Sequence, residues 1–319
     1  MGGIVLSFPG AKGGAGTRLH HKGRTICEVF SDAAEGFAAK PLLIVPSDPE
    51  RSYAVHGWGA TYGEVAVSVD ALVAVLRSAG LGCGDRVAVL LENRPQILIL
   101  KLALAACGIS WVPINPDYRP REIAYLLEDS RATLAVVVGS RAAVMHEAIK
   151  LGGAGCLLVV WDGDGVPPLP MIRDKVPSGE VTPASEASLL YTSGTTGRPK
   201  GCIISHEYEL MMGARYASLG GRAQIETAKE RIYNPLPLFH VNAGIVLFYG
   251  MLLTGNAQVI PERFSRTRFW LVVRETGATG IQYLGVVIPV LMNEPPGPGD
   301  RDHQVRWGFG AGVEPSLHG

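Results

Sequence analysis

Residues 192–201 read Thr192-Ser193-Gly194-Thr195-Thr196-Gly197-Arg198-Pro199-Lys200-Gly201. Three glycines let a backbone turn sharply and approach a ligand closely. Four hydroxyls, on Thr192, Ser193, Thr195 and Thr196, join the freed backbone N–H groups as donors. Successive N–H groups in such a turn form a concavity that binds anions. Lys200 adds a full positive charge at the end of the loop. Chemically, the stretch is a cradle for polyphosphate. It is not a Walker A loop, because no Gly-x-x-x-x-Gly-Lys-Ser/Thr string occurs in the chain. Apolar runs at 189–191 and 203–204 flank it, so the loop joins two strands rather than opening a helix.

Outward from the loop, strands and helices alternate. Upstream, 42–45, 86–91, 110–114, 134–138 and 156–161 read as strands. Between and before them, 26–37, 62–79, 94–107, 120–129 and 141–150 read as helices. Val65, Val69, Leu72, Val73 and Leu76 keep the helical period. Downstream, 188–191, 201–204, 258–260 and a segment near Ile232 read as strands. Helices are expected through Met211 and Met212, at 245–253, at 267–275 and at 286–292. Continuous apolar strands between amphipathic helices imply an α/β fold with mostly parallel sheets. A Gly/Pro-rich connector at 162–183 marks a candidate boundary. The expected organisation is a flexible leader at 1–24, a first α/β subdomain region at 25–183, and a phosphate-loop-containing second part of the same large domain at 184–319.

Composition excludes several classes. The 319 residues are 47% hydrophobic and 18% charged, which excludes a disordered chain. Lys+Arg and Asp+Glu both count 29, so no global basic excess points to nucleic acid. Cys27, Cys83, Cys107, Cys156 and Cys202 form no Cys-x-x-Cys pair. They read as small buried hydrophobes in a reducing cytosol, so a cytoplasmic location is expected. The most apolar stretch, 97–109, is broken by Lys101 and is too short to span a membrane. No secretory signal pattern opens the chain.

The string 191–201 resembles the signature phosphate loop of the adenylate-forming superfamily, which includes acyl-CoA synthetases. Other segments fit: Thr61-Tyr62-Gly63-Glu64, Pro113-Ile114-Asn115-Pro116, Ser205-His206 and Pro237-Leu238-Phe239-His240. Gly308-Phe309-Gly310-Ala311-Gly312 is similar to the family's Gly-rich adenine-side loop, with Phe309 and Gly312 less usual. Arg263-Phe264-Ser265, Phe269-Trp270, Tyr283-Leu284-Gly285 and Asp300-Arg301-Asp302-His303 resemble the crotonobetaine/carnitine–CoA ligase branch.

The resemblance implies the superfamily's N-terminal domain, two α/β subdomains with mostly parallel sheets flanked by helices. It implies a ligase that activates a carboxylic acid with ATP and Mg2+ as an acyl-adenylate, then passes the acyl group to coenzyme A. By that resemblance Thr192, Ser193, Gly194, Thr195, Thr196, Gly197 and Lys200 would hold the ATP phosphates, with Thr196 near the metal. Lys200, Thr196 and His240 would be the catalytic set, His240 as a gate between acyl pocket and thiol tunnel. Gly310 and Ala311 would contact adenine. Val241, Gly244, Tyr283, Gly285 and Gly308 would line the acyl pocket. A homodimer is left open. The family's later motifs are absent after Gly312, so a C-terminally truncated chain is expected. A non-catalytic nucleotide-binding remnant therefore stays as the alternative.

Some features read more plainly. His206 is a structural residue beside a helix-capping Ser205. Met211 and Met212 are core gap-fillers, and Tyr283 and Trp270 read equally as core aromatics. Lys12-Gly13-Gly14-Ala15-Gly16-Thr17-Arg18 has a Walker-like look. A Walker loop needs Lys and then Ser/Thr after its final glycine; here Thr17 and Arg18 stand there instead, and the stretch reads as leader. A P-loop kinase or GTPase would rest on that stretch alone.

Overall fold

The computed structural model describes residues 18–152, 155–163, 165–192, 198–295, 297 and 299–312. The Walker-like stretch up to Thr17 lies outside them. The first part of the chain forms α1 (Ile26–Gly36), β1 (Pro41–Val45), β2 (Trp58–Thr61), α2 (Tyr62–Ser78), β3 (Arg86–Leu90), α3 (Pro95–Ala106), β4 (Ser110–Pro113), α4 (Pro120–Ser130), β5 (Leu134–Val137), α5 (Ala142–Gly152) and β6 (Leu157–Val160). The second part forms β7 (Glu186–Thr192), β8 (Lys200–Ser205), α6 (His206–Ala217), β9 (Arg231–Tyr233), a π-helical turn (Asn242–Leu247), α7 (Phe248–Thr254), β10 (Ala257–Val259), α8 (Phe269–Thr276), β11 (Gly280–Leu284), α9 (Val287–Met292) and β12 (Trp307–Ala311).

Local chemistry sets several boundaries. Thr25 opens α1 with a capping box. The Glu28 N–H donates to its hydroxyl at 3.3 Å, and the Glu28 carboxylate accepts from the Thr25 N–H at 2.7 Å. Thr61 and Glu64 repeat the device at α2. Ser205 caps α6, its hydroxyl accepting from the Tyr208 N–H at 3.2 Å. α3 is apolar nearly all round, and it is buried on every side.

One six-stranded sheet has the order β12-β11-β9-β10-β1-β2, the other β6-β5-β3-β4-β7-β8. Their pairs are parallel except β1 with β2 and β7 with β8. Helices α1, α2, α3, α6 and α7 fill the layer between the sheets and carry the main core. α4 and α5 cover the outer face of the second sheet. α8 and α9 cover the outer face of the first. Each sheet takes strands from both sides of the 162–183 connector: β1 and β2 join β9–β12, while β7 and β8 join β3–β6. The connector itself runs along the body, with the Ile172 N–H donating to the Ala79 carbonyl at 2.8 Å.

The structure corrects several readings. β2 and β11 are strands where none was expected. The Gly-rich stretch at 308–311 is not a loop but most of β12, paired in register with β11 from Gly280↔Trp307 to Leu284↔Ala311. The reason lies in the side chains. The Tyr283 ring lies across the two glycines, and a Cβ built on Gly310 would sit 2.5 Å from its ring. On the other face Trp307 is buried and Phe309 meets Tyr216 edge-on at 5.5 Å. The helix expected at 245–253 begins as the π-helical turn. Residues 18–24, placed in the leader by composition, lie against the body. The Leu19 N–H donates to the Leu253 carbonyl at 3.0 Å, and Arg24 pairs with Asp32 at 2.7 Å.

Candidate functional site

The hairpin of β7 and β8 places Thr192 opposite Lys200 and Tyr191 opposite Gly201. The phosphate-cradle string therefore leaves and re-enters the sheet at one place. Ser193, Gly194, Thr195, Thr196 and Gly197 lie outside the described residues, so their contacts are not part of the geometry. Thr192 and Lys200 are both exposed. α4 grips both arms. The Tyr191 hydroxyl donates to Asp129 Oδ2 at 2.6 Å, and the Tyr125 hydroxyl donates to the Pro199 carbonyl at 3.0 Å. Burial and the Asp129 carboxylate both push the Tyr191 phenol's pKa upward. Arg198 lies 5.6 Å from the Tyr125 ring centre. At the base of the hairpin, Arg86 binds both Glu186 oxygens at 2.8 Å. Nothing in the sequence pattern singles out Tyr125 or Asp129, because their role depends on where α4 packs.

His240 reaches the same place from the other sheet. Asn93 fixes the segment before it, accepting from the Leu238 N–H at 2.8 Å and donating to the Leu236 carbonyl at 3.2 Å. Sequence reading missed Asn93, which carries no motif of its own. A cavity of 90 Å³ then forms between Leu190, Tyr191 and Thr192 on one side and Phe239, His240 and Val241 on the other. Pro113, Asn115 and Tyr118 close it. Thus three segments singled out in the sequence converge, although they are far apart along the chain. His240 sits exposed at the rim beside Phe239, with ring centres 4.4 Å apart. Partial desolvation lowers its pKa, which favours the neutral imidazole.

The residues assigned to an acyl pocket do not all meet. Val241 lines the small cavity. Tyr283 and Gly308 line a separate cavity of 520 Å³ with Phe269, Trp270, Ile281 and Leu291. Gly244 is buried in the π-helical turn, where a Cβ would lie 2.1 Å from the Leu238 carbonyl oxygen. It is a glycine of close approach and lines neither cavity. Gly285 is half-buried between β11 and α9 and also lines neither. Gly310 and Ala311 lie on β12 opposite Tyr283 and Leu284. Gln282 on β11 links the π-helical turn and α6: its amide donates to Asn242 Oδ1 at 2.6 Å, and its carbonyl accepts from the Tyr216 hydroxyl at 2.9 Å. His303 stacks flat on Trp270 at 5.0 Å, joining two of the branch-specific segments.

For the metal, Thr196 lies outside the described residues. Among the described residues no cluster of His, Cys, Asp or Glu could hold an ion. All five cysteines are free. Among the described residues no helix is long and apolar enough to cross a membrane.

The family model described as "AMP-binding enzyme" matches residues 33–318. The chain belongs to the AMP-binding enzyme family. Among curated members, it is 30% identical over 276 residues to the sulfoacetate–CoA ligase of Cupriavidus necator, covering 86% of this chain and 52% of that protein. It is 28% identical over 299 residues to the crotonobetaine/carnitine–CoA ligase of Salmonella paratyphi A, covering 89% and 55%. The fold matches the N-terminal domain of FACL13 from Mycobacterium tuberculosis with a TM-score of 0.75 at 21% identity, covering 92% of this chain and 72% of that one. As a member of the AMP-binding family, the chain spans about half the length of the curated relatives it matches.

Proposed function

We propose that this chain is the phosphate-loop-bearing part of an ATP-dependent acid–CoA ligase. The observation that carries the reading is the cavity in which Thr192, at the mouth of the phosphate hairpin, meets His240 and Val241. In the first step a carboxylate oxygen attacks the α-phosphorus of ATP, the bond to the bridging oxygen breaks, and pyrophosphate leaves. Lys200 and the hydroxyls of the loop, with Thr196 among them, stabilise charge on the departing phosphates. In the second step the thiol sulfur of coenzyme A attacks the acyl carbon, loses its proton and displaces AMP. His240 stands where the acyl carbon passes from one step to the next, as a neutral, movable gate. Gly310 and Ala311 on β12 supply the adenine edge, and Val241 begins the acyl wall. The substrate is a carboxylic acid. Residues 25–183 and 184–319 act as two parts of one large domain, which the shared sheets support. The free cysteines fit a reducing compartment, the cytoplasm.

The test is ATP binding by calorimetry, followed by acid-dependent ATP–pyrophosphate exchange. Binding with exchange is expected. Failure to bind ATP would sink the ligase reading. Binding without exchange for any acid would select the alternative, a nucleotide-binding module.

A further inference from the structure

Lys101 is the single charged residue of α3, in the middle of a helix buried on every side. Its ammonium lies 2.9 Å from the Glu209 carboxylate on α6, and both side chains are at most 1% exposed. The same ammonium donates to the Gly244 carbonyl at 3.1 Å and lies 4.3 Å from the Trp111 ring centre. The other Glu209 oxygen accepts from the Ser188 hydroxyl on β7. One ion pair therefore ties together α3, α6, β7 and the π-helical turn.

Both ends of this tie lead to the candidate site. Ser188 stands on β7 just before Leu190, Tyr191 and Thr192, which form one wall of the small cavity. The Gly244 N–H donates to the His240 carbonyl at 2.9 Å, so the Lys101 bond reaches the opposite wall in one step. π-Helical turns occur often at functional sites, and this one has a carbonyl claimed by a buried cation.

Stability does not explain the pair. Burial lowers the pKa of Lys101, and Glu209 works against that shift. Removing two charges from water costs several kcal/mol per ion, and well-packed apolar replacements are often neutral or better. An apolar pair would fill the layer equally well. It would not aim one group at both a carboxylate and a particular carbonyl.

We propose that Lys101 and Glu209 are positioning residues that hold the His240 turn against β7, and so set the width of the cavity between Thr192 and His240. The consequence for catalysis rests on the ligase reading, but the geometry does not.

The test uses the whole 319-residue chain. His240 ring signals, assigned by difference against His240→Gln, are titrated by NMR in the parent and in Lys101→Met/Glu209→Gln. Exchange of the Gly244 amide is followed in the same samples. The titratable groups sharing the cavity are Tyr118 and Tyr191, whose pKa values are raised, so a change in His240 reads solvation. With the tie removed, the loosened turn admits water. The His240 pKa should then rise toward its ordinary value, and Gly244 exchange should quicken by about tenfold. A folded double variant that matches the parent in both readouts overturns the proposal. If the double variant does not fold, Ser188→Ala decides, since it removes only the hydroxyl bond to Glu209. A smaller rise in the same direction supports the tie, and an unchanged titration overturns it. ATP binding by the parent is scored separately, so its failure removes the ligase reading and leaves the positioning result standing or falling on His240.

Discussion

Lys200 carries its charge where β8 begins, directly across the hairpin from Thr192. A charge-assisted bond to phosphate is worth about 1.5–3 kcal/mol. Lys200→Ala should therefore weaken ATP binding by roughly tenfold or more, read by calorimetry, and unchanged affinity would remove its phosphate role. The task proposed for His240 is different. With its pKa lowered by desolvation it stays neutral at pH 7, so it can swing without breaking an ion pair. His240→Ala should reduce acyl-CoA formation while leaving ATP–pyrophosphate exchange near the parent rate. Equal losses in the two assays would contradict a gate. At this scale the sequence showed which residue types could do phosphate chemistry, because that chemistry needs glycines, hydroxyls and a cation in one local string. It did not show Asn93, Asp129 or Tyr125, whose partners lie on other elements.

Elements with a strong local signal were legible, and those without one were not. α2 begins at Thr61 because Thr61 and Glu64 satisfy each other's backbone N–H groups. Thr61→Ala should cost about 1 kcal/mol in urea denaturation, with an unchanged slope. An effect below a few tenths would mean that the cap is redundant. β12 is the opposite case. Its glycines read as a loop, since glycine ordinarily weakens a strand. Here they make room for the Tyr283 ring, which crosses from β11 and covers them. Gly310→Ala should therefore overpack the pair and destabilise the chain by about 1–3 kcal/mol. Tyr283→Ala introduced with it should recover the ring's share of that loss but not the share of the Tyr283 carbonyl oxygen, which lies equally close at 2.5 Å; a fully additive pair would refute the ring contact. β2 escaped notice for a related reason. Its four residues, Gly59 among them, carry little periodicity, and pairing with β1 makes them a strand.

For the molecule as a whole, layering decides what is buried. His206 opens α6 and falls between the sheets, fully buried, its Nδ1 accepting from the Ile26 N–H at 3.2 Å. Burial lowers its pKa from 6.5 to about 4, and the nearby Lys101 charge adds to the effect while Glu209 and Glu28 oppose it. The unfolded chain thus takes up this proton at higher pH than the folded chain. The contribution is complete above about pH 6.5 and is lost as pH falls toward 4, up to roughly 3 kcal/mol. Chemical denaturation between pH 7.5 and 4 should show that decline, and His206→Gln should flatten it. A slope identical in the variant would assign the decline to other groups. The sequence alone determined the α/β class, through alternating apolar strands and amphipathic helices. It also determined the family, because the family's motifs are written in contiguous residues. Only the tertiary structure decided that each sheet draws strands from both sides of the 162–183 connector. It also decided that Tyr283 and Gly308 line a different cavity from Val241, and that Lys101 and Glu209 meet. Strand order and buried pairing depend on contacts between distant segments, and no local pattern encodes those.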